Sequence, residues 1–145
     1  MSFHIYTLGY AHWSIQEVEQ CLQHLDAWLA DVHHPPHTTK PGFSKSELIN
    51  RLGGDRYRHI PGFGNINYTG GPVELAAPED GIDQIRARGG PVVLMCGCAS
   101  PAQCHRRAVA ELLCERMGGS PTHLRAPSER DQPDLFDDTN PSEQT

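Results

Sequence analysis

Apolar positions along the chain follow two alternating periods. Short runs of strand length, at residues 3–8 (FHIYTL), 27–32 (AWLADV), 56–60 (RYRHI) and 91–95 (PVVLM), alternate with stretches in which apolar residues recur every three or four positions. The first of those stretches carries Ile15, Val18, Leu22 and Leu25 on one face. It opens on Ser14 and Glu17, a capping box in which each side chain serves the other residue's backbone N–H. Ser44 with Glu47 predicts a second, short helix stopped by Gly53-Gly54, and Asp80 predicts the cap of a third running to Arg88. Ser100-Pro101-Ala102-Gln103 supplies a capping serine, a first-turn proline and a third-position glutamine for a fourth helix. Gly118-Gly119 ends that helix before a last strand near residues 122–124.

Strand and helix in alternation predict an α/β fold of three layers, a mostly parallel sheet with helices on both faces. The unbroken apolar run at 91–95 fits a strand buried on both sides. In such sheets ligands bind at the carboxyl ends of the strands. Residues 9–13, 31–37 and 96–106 follow three of the predicted strands, so one site is expected where they converge. The glycine-rich connection 61–78 is long enough to be a substrate loop or lid, or an ordered surface loop.

Charge divides the chain in two. The formal net charge is −6, but residues 127–145 hold six acids and one arginine, which leaves about −1 for residues 1–126. This predicts a single domain over 1–126 and an acidic, proline-containing, disordered tail over 127–145. A near-neutral body argues against broad electrostatic binding of duplex nucleic acid. No long apolar run and no basic leader are present, so the expected location is cytoplasmic, with no membrane partner. Of five cysteines, Cys96, Cys98 and Cys104 crowd into nine residues, which suits reduced thiols better than a disulfide framework.

Chemistry concentrates around residue 96. Cys96 ends the buried run and precedes a helix start, whose unpaired N–H groups and partial positive charge favour a thiolate or an anion. It is a candidate nucleophile, or a small apolar residue closing a strand. His105 shares a stripe with Ala102, Val109, Leu112 and Leu113, which aims its imidazole at the sheet as a candidate acid or base, or as a core histidine bonded to a carbonyl. Asp31, ending its own strand, is a candidate general base or orienting carboxylate. Arg106 is placed to reach an anion, or to pair with Asp31. The spacing C-x-C-x5-C-H lacks the paired C-x-x-C of zinc ribbons, so neither a metal nor another cofactor is expected.

The segments TLGYAHWSIQEV, LADVHHPPHTTKPGFSKSEL, YRHIPGFGN and VVLMCGCASPAQCHRRAVAELL resemble the signatures of the domain of unknown function 488 family over nearly all of residues 5–114. Cys96 and Cys104-His105-Arg106 stand eight residues apart, as in the family's pattern. The resemblance implies a ligand site that includes Gly9, Tyr10, His33, Cys104 and Arg106. Tyr10 stands where the family usually has histidine, and His33, His37 and Thr39 stand where it has arginine or serine-arginine. Permanent charge is thus exchanged for groups that titrate near neutrality or carry none. A looser similarity links LADV, RHIPGFGNIN and VVLMC to rhodanese-like sulfurtransferases, although six residues after Cys96 stands Ala102, where a C-x5-R loop needs arginine.

Within the tail, QPDLF resembles the peptide by which bacterial replication and repair proteins dock on the polymerase sliding clamp, with Gln132, Asp134, Leu135 and Phe136 matching. The combined expectation is an enzyme or ligand-binding domain with catalytic candidates Cys96, His105 and Asp31, brought to DNA or nucleotide substrates by residues 132–136. A rhodanese-like sulfurtransferase using Cys96 and a non-enzymatic clamp-binding adaptor are the alternatives.

Overall fold

The computed structural model describes residues 4–32, 40–66, 72–96 and 105–127. Among them five strands form one parallel sheet in the order β3-β2-β4-β1-β5: β1 Ile5–Gly9, β2 Trp28–Asp31, β3 Tyr57–His59, β4 Val92–Cys96 and β5 Pro121–His123. The helices are α1 Ile15–Leu25, α2 Lys45–Leu52, α3 Pro78–Arg88 and α4 His105–Met117. One-turn 3-10 helices follow β1 and β3, at Tyr10–His12 and Pro61–Phe63.

Both capping boxes form as the sequence predicts. Ser14 and Glu17 bond reciprocally at the start of α1, as do Ser44 and Glu47 at the start of α2. Helix α1 ends on Asp26, whose left-handed φ of 53° turns the chain into β2, and Arg56 Nη1 donates to the carbonyls of Leu22 and Ala27 there. Element bounds shift by one or two residues from the sequence expectation, and by three at the start of α3. Helix α3 begins at Pro78 with Ala77 at the cap, and Asp80 lies in the first turn. Proline preorganises that first turn without needing an N–H, so no polar cap is required. Strand β4 ends at Cys96, one residue later than its apolar run suggests, because Gly9 of β1 pairs with Cys96 and extends the ladder. In the long connection after β3, Ile66 N–H donates to the Glu74 carbonyl beside an antiparallel bridge between Asn65 and Leu75.

Alternation along the strands divides the core into two layers. One face packs Ala30, Val92, Leu94 and Cys96 against α3 and α4 through Ile82, Ile85, Val109 and Leu113. The other packs Leu8, Leu29, Val93 and Met95 against α1 and α2 through Val18, Leu22 and Leu48. All five residues of β4 are buried, which places the central strand between two complete apolar layers. This arrangement is the predicted three-layer α/β sandwich.

Candidate functional site

The carboxyl edge of the sheet brings Gly9, Asp31 and Cys96 to the ends of β1, β2 and β4, but alternation points the last two to opposite faces. Gly9 pairs with Cys96, and Asp31 pairs with Met95, the residue before it. Cys96 belongs to the α3–α4 layer. Asp31 turns toward the α1–α2 layer, where it accepts a 2.6 Å hydrogen bond from the buried Tyr57 hydroxyl. Burial, then the Asp31 charge, then this bond push Tyr57 well above the ordinary phenol range.

Helix α4 supplies the partner of Cys96. Its buried stripe is Arg106, Val109, Ala110 and Leu113, so the stripe begins at Arg106 and is rotated by one residue from the predicted one. A strict i, i+3, i+4, i+7 spacing links those four, and an arginine at its head is what the hydrophobic pattern conceals. Arg106 is 1% exposed, and its Nη1 donates to Cys96 Sγ at 3.6 Å, with Cys96 itself 1% exposed. Cys96 is disulfide-bonded, in contrast to the reduced thiol expected from the sequence. Among the described residues Cys21 and Cys114 form no disulfide.

His105, half-buried, places Nε2 2.6 Å from the Val32 carbonyl. A carbonyl only accepts, so Nε2 carries the proton, and the imidazole ties the start of α4 to the end of β2. A carbonyl bond was one of the two roles the sequence offered for this histidine, beside that of an acid or base.

Two polar residues that the sequence did not single out complete this face. Thr7 of β1, fully buried, lies 2.5 Å through Oγ1 from Nδ1 of His123, its register partner on β5. Burial, then the charges of Arg106 and Arg107, hold His123 below the usual imidazole range, with Glu111 opposing. Thr7 was legible only as a polar residue inside a largely apolar strand; His123 carried no signal beyond its type.

Tyr10 sits on the Asp31 side, stacked on Phe43 with ring centroids 4.7 Å apart, and Lys40 lies 5.4 Å over Phe43. His33, Cys104, Gln132, Asp134, Leu135 and Phe136 lie outside the described residues, as do His37, Thr39 and Cys98. Among the described residues no three His, Cys, Asp or Glu side chains group as metal ligands. At the opposite, amino-terminal edge a cleft of about 390 Å³ is lined by Asp26, Trp28, Asp55, Arg56 and Arg88 among others. Its two arginines serve local structure: Arg56 bonds the carbonyls after α1, and Arg88 covers Trp28 and donates to the Asp55 carbonyl.

No curated protein and no solved structure matches the chain. The family described as Domain of unknown function DUF488 matches residues 14–113, a span that runs from the cap of α1 to the buried Leu113 of α4 and takes in Asp31, Cys96 and Arg106. The chain belongs to this family.

Proposed function

We propose that the domain carries a thiol-centred site for a small anionic ligand at the carboxyl edge of its sheet, with Cys96 as the reacting sulfur. The observation that supports this most is the 3.6 Å approach of Arg106 Nη1 to Cys96 Sγ, with both side chains buried. A guanidinium is charged at any working pH, and in a poorly hydrated site it favours the anionic form of a neighbouring sulfur. The Cys96 disulfide then represents the resting, oxidised form. Two equivalents of a small thiol would reduce it, releasing both cysteines and leaving the reductant as its own disulfide. His105 supports the site by fixing α4 against β2, whereas the Asp31 carboxylate faces the other layer of the sheet and stands apart from Cys96.

The reaction this arrangement suits best is sulfur transfer. The Cys96 thiolate would attack the outer sulfur of thiosulfate, sulfite would leave with the electron pair of the broken S–S bond, and Cys96 would carry a persulfide. An acceptor thiolate would then take the outer sulfur and restore the Cys96 thiolate. Incubation of the reduced chain with thiosulfate should add one sulfur atom to the Cys96 peptide by mass spectrometry, and Arg106→Leu should diminish that product. An unmodified peptide, together with no thiosulfate-dependent sulfite release, would refute sulfur transfer.

A second reading concerns place rather than reaction and rests on the sequence of residues 132–136. QPDLF would dock on the bacterial sliding clamp and deliver the domain to DNA or nucleotide substrates in the cytoplasm, with the clamp supplying effective concentration that the near-neutral body lacks. Full-length protein titrated with clamp should bind saturably, and a Leu135→Ala, Phe136→Ala variant should not. Equal binding by both would remove the link to DNA. If clamp binding holds while Cys96→Ser and Arg106→Leu alter stability alone, the chain is a clamp-bound adaptor.

A further inference from the structure

We propose that the acidic carboxyl-terminal segment is an electrostatic brake on the Cys96 site, applied because the chain leaves the fold at the edge where that site lies. The inference rests on the reading of Cys96 as a reacting thiol. Cys96 pairs with Gly9 at the end of β1, and β1 pairs on its other side with β5. Beyond β5 the ladder continues by one bond, from Leu124 N–H to the Thr7 carbonyl. Leu124 and Ala126 are then buried in one cluster with Leu8, Tyr10 and Trp13. The last fully buried residue therefore stands at the carboxyl edge, two strand spacings, or about 10 Å, across the sheet from Cys96.

The acidic sequence starts at that point. Glu129, Asp131, Asp134, Asp137, Asp138 and Glu143 outnumber Arg130 by five charges. Covalent reach keeps the first of them close, since three residues span at most about 11 Å from Ala126. Arg125, beside the exit, opposes this with one positive charge. Coulomb interaction does not depend on which layer of the sheet a side chain faces, and here its two effects have one sign. Negative potential disfavours the Cys96 thiolate that Arg106 favours, and it holds off an anionic ligand. Five net charges at about 15 Å through water, with a Debye length of about 30 Å, raise a thiol by roughly half a pH unit. A partner that neutralises these residues or draws them aside releases the brake, so the reactivity of the sulfur answers to occupancy of the segment.

The test is a thiolate absorbance titration of the reduced full-length protein, taken as the difference from a Cys96→Ser partner in each background. It is run at roughly 10 mM and roughly 1 M salt, where the Debye length is about 30 Å and about 3 Å. With all six acids replaced by their amides, the Cys96 transition should move to lower pH by roughly half a unit at the lower salt. The difference from wild type should vanish at the higher salt. Glu129→Gln with Asp131→Asn, nearest the exit, should move the transition further than Asp138→Asn with Glu143→Gln. An unmoved transition in the six-amide protein, with a clear upward move in Arg106→Leu, would overturn the brake and leave the Cys96–Arg106 pair standing. A shift of equal size at both salts, or from both acid pairs, would overturn it too, because distance from the exit and screening would then have no part in it. An unmoved transition in Arg106→Leu would overturn the thiol-centred reading and this inference with it.

Discussion

Tyr57→Phe removes a single oxygen and separates two roles for Asp31. The deleted group is the donor of a 2.6 Å bond to Asp31 Oδ2, between a tyrosine 3% exposed and an aspartate 1% exposed. Bonds of this length from a hydroxyl to a carboxylate belong to the charge-assisted class, and their loss costs about 1.5–3 kcal/mol. Asp31 retains a further interaction, so the loss should stay at that scale and not approach the about 3–5 kcal/mol of a stranded buried charge. For a chain of this size roughly 3 °C of melting temperature accompanies each kcal/mol, so thermal unfolding at pH 7 should fall by about 5–10 °C. The pH dependence supplies a second arm. Tyr57 in the folded protein is raised above its ordinary value of 10.0, so its contribution is fully present below pH 10 and is lost as pH climbs beyond it. Wild-type protein should therefore lose stability above pH 10 more steeply than the variant. A urea unfolding free energy within about 0.5 kcal/mol of wild type would show that the bond does not hold Asp31 in place. The carboxylate would then need another explanation for its burial, with a catalytic one foremost.

Three further outcomes are expected. His123 is lowered below its ordinary 6.5 by burial first, so the stability it contributes is complete above that pH and is lost as pH falls through the lowered folded value. His123→Phe should thus flatten the stability profile just below pH 6.5, above the window in which Glu47 and Glu79 are protonated, and equal acid sensitivity in both proteins would contradict this. Gly81→Ala should destabilise by about 1–3 kcal/mol in urea unfolding despite alanine's better helix propensity, because the new Cβ would lie 2.6 Å from the buried Phe63 ring. Leu113→Ala should cost about 2–5 kcal/mol by the same assay, since that side chain is fully buried between α4 and the sheet; a loss below 1 kcal/mol would mean that α4 packs loosely.

The fold was largely legible because its signals are local. Ser14-Glu17 and Ser44-Glu47 set two helix starts through contacts three residues long, and the apolar run before Cys96 is unbroken whatever lies elsewhere in the chain. The site was legible only in part because its contacts are not local. A period of two assigns Asp31 and Cys96 each to a face, but which faces coincide depends on the register between β2 and β4, more than sixty residues apart in the chain. Helix α4 was placed one residue out of phase because Arg106 counts as polar in any pattern. Its long aliphatic stem nevertheless takes the buried place, and its head group goes to the sulfur. Tyr57 and His123 were missed for the same reason, since each acquires its partner through strand pairing.

The position of β1 also shapes how the chain reaches this state. Its neighbours in the sheet are β4 and β5, whose first residues are Val92 and Pro121, so the earliest strand to be synthesised must wait for the last two. A growing chain that has reached α3 can join β2 to β3, but it holds in β1 an apolar strand with neither edge covered. Such late, long-range parallel pairing is slow and leaves strand edges open to other chains. Fragments that stop short of β4 should collect in aggregates, and the yield of folded protein should depend on how quickly residues 92–123 follow.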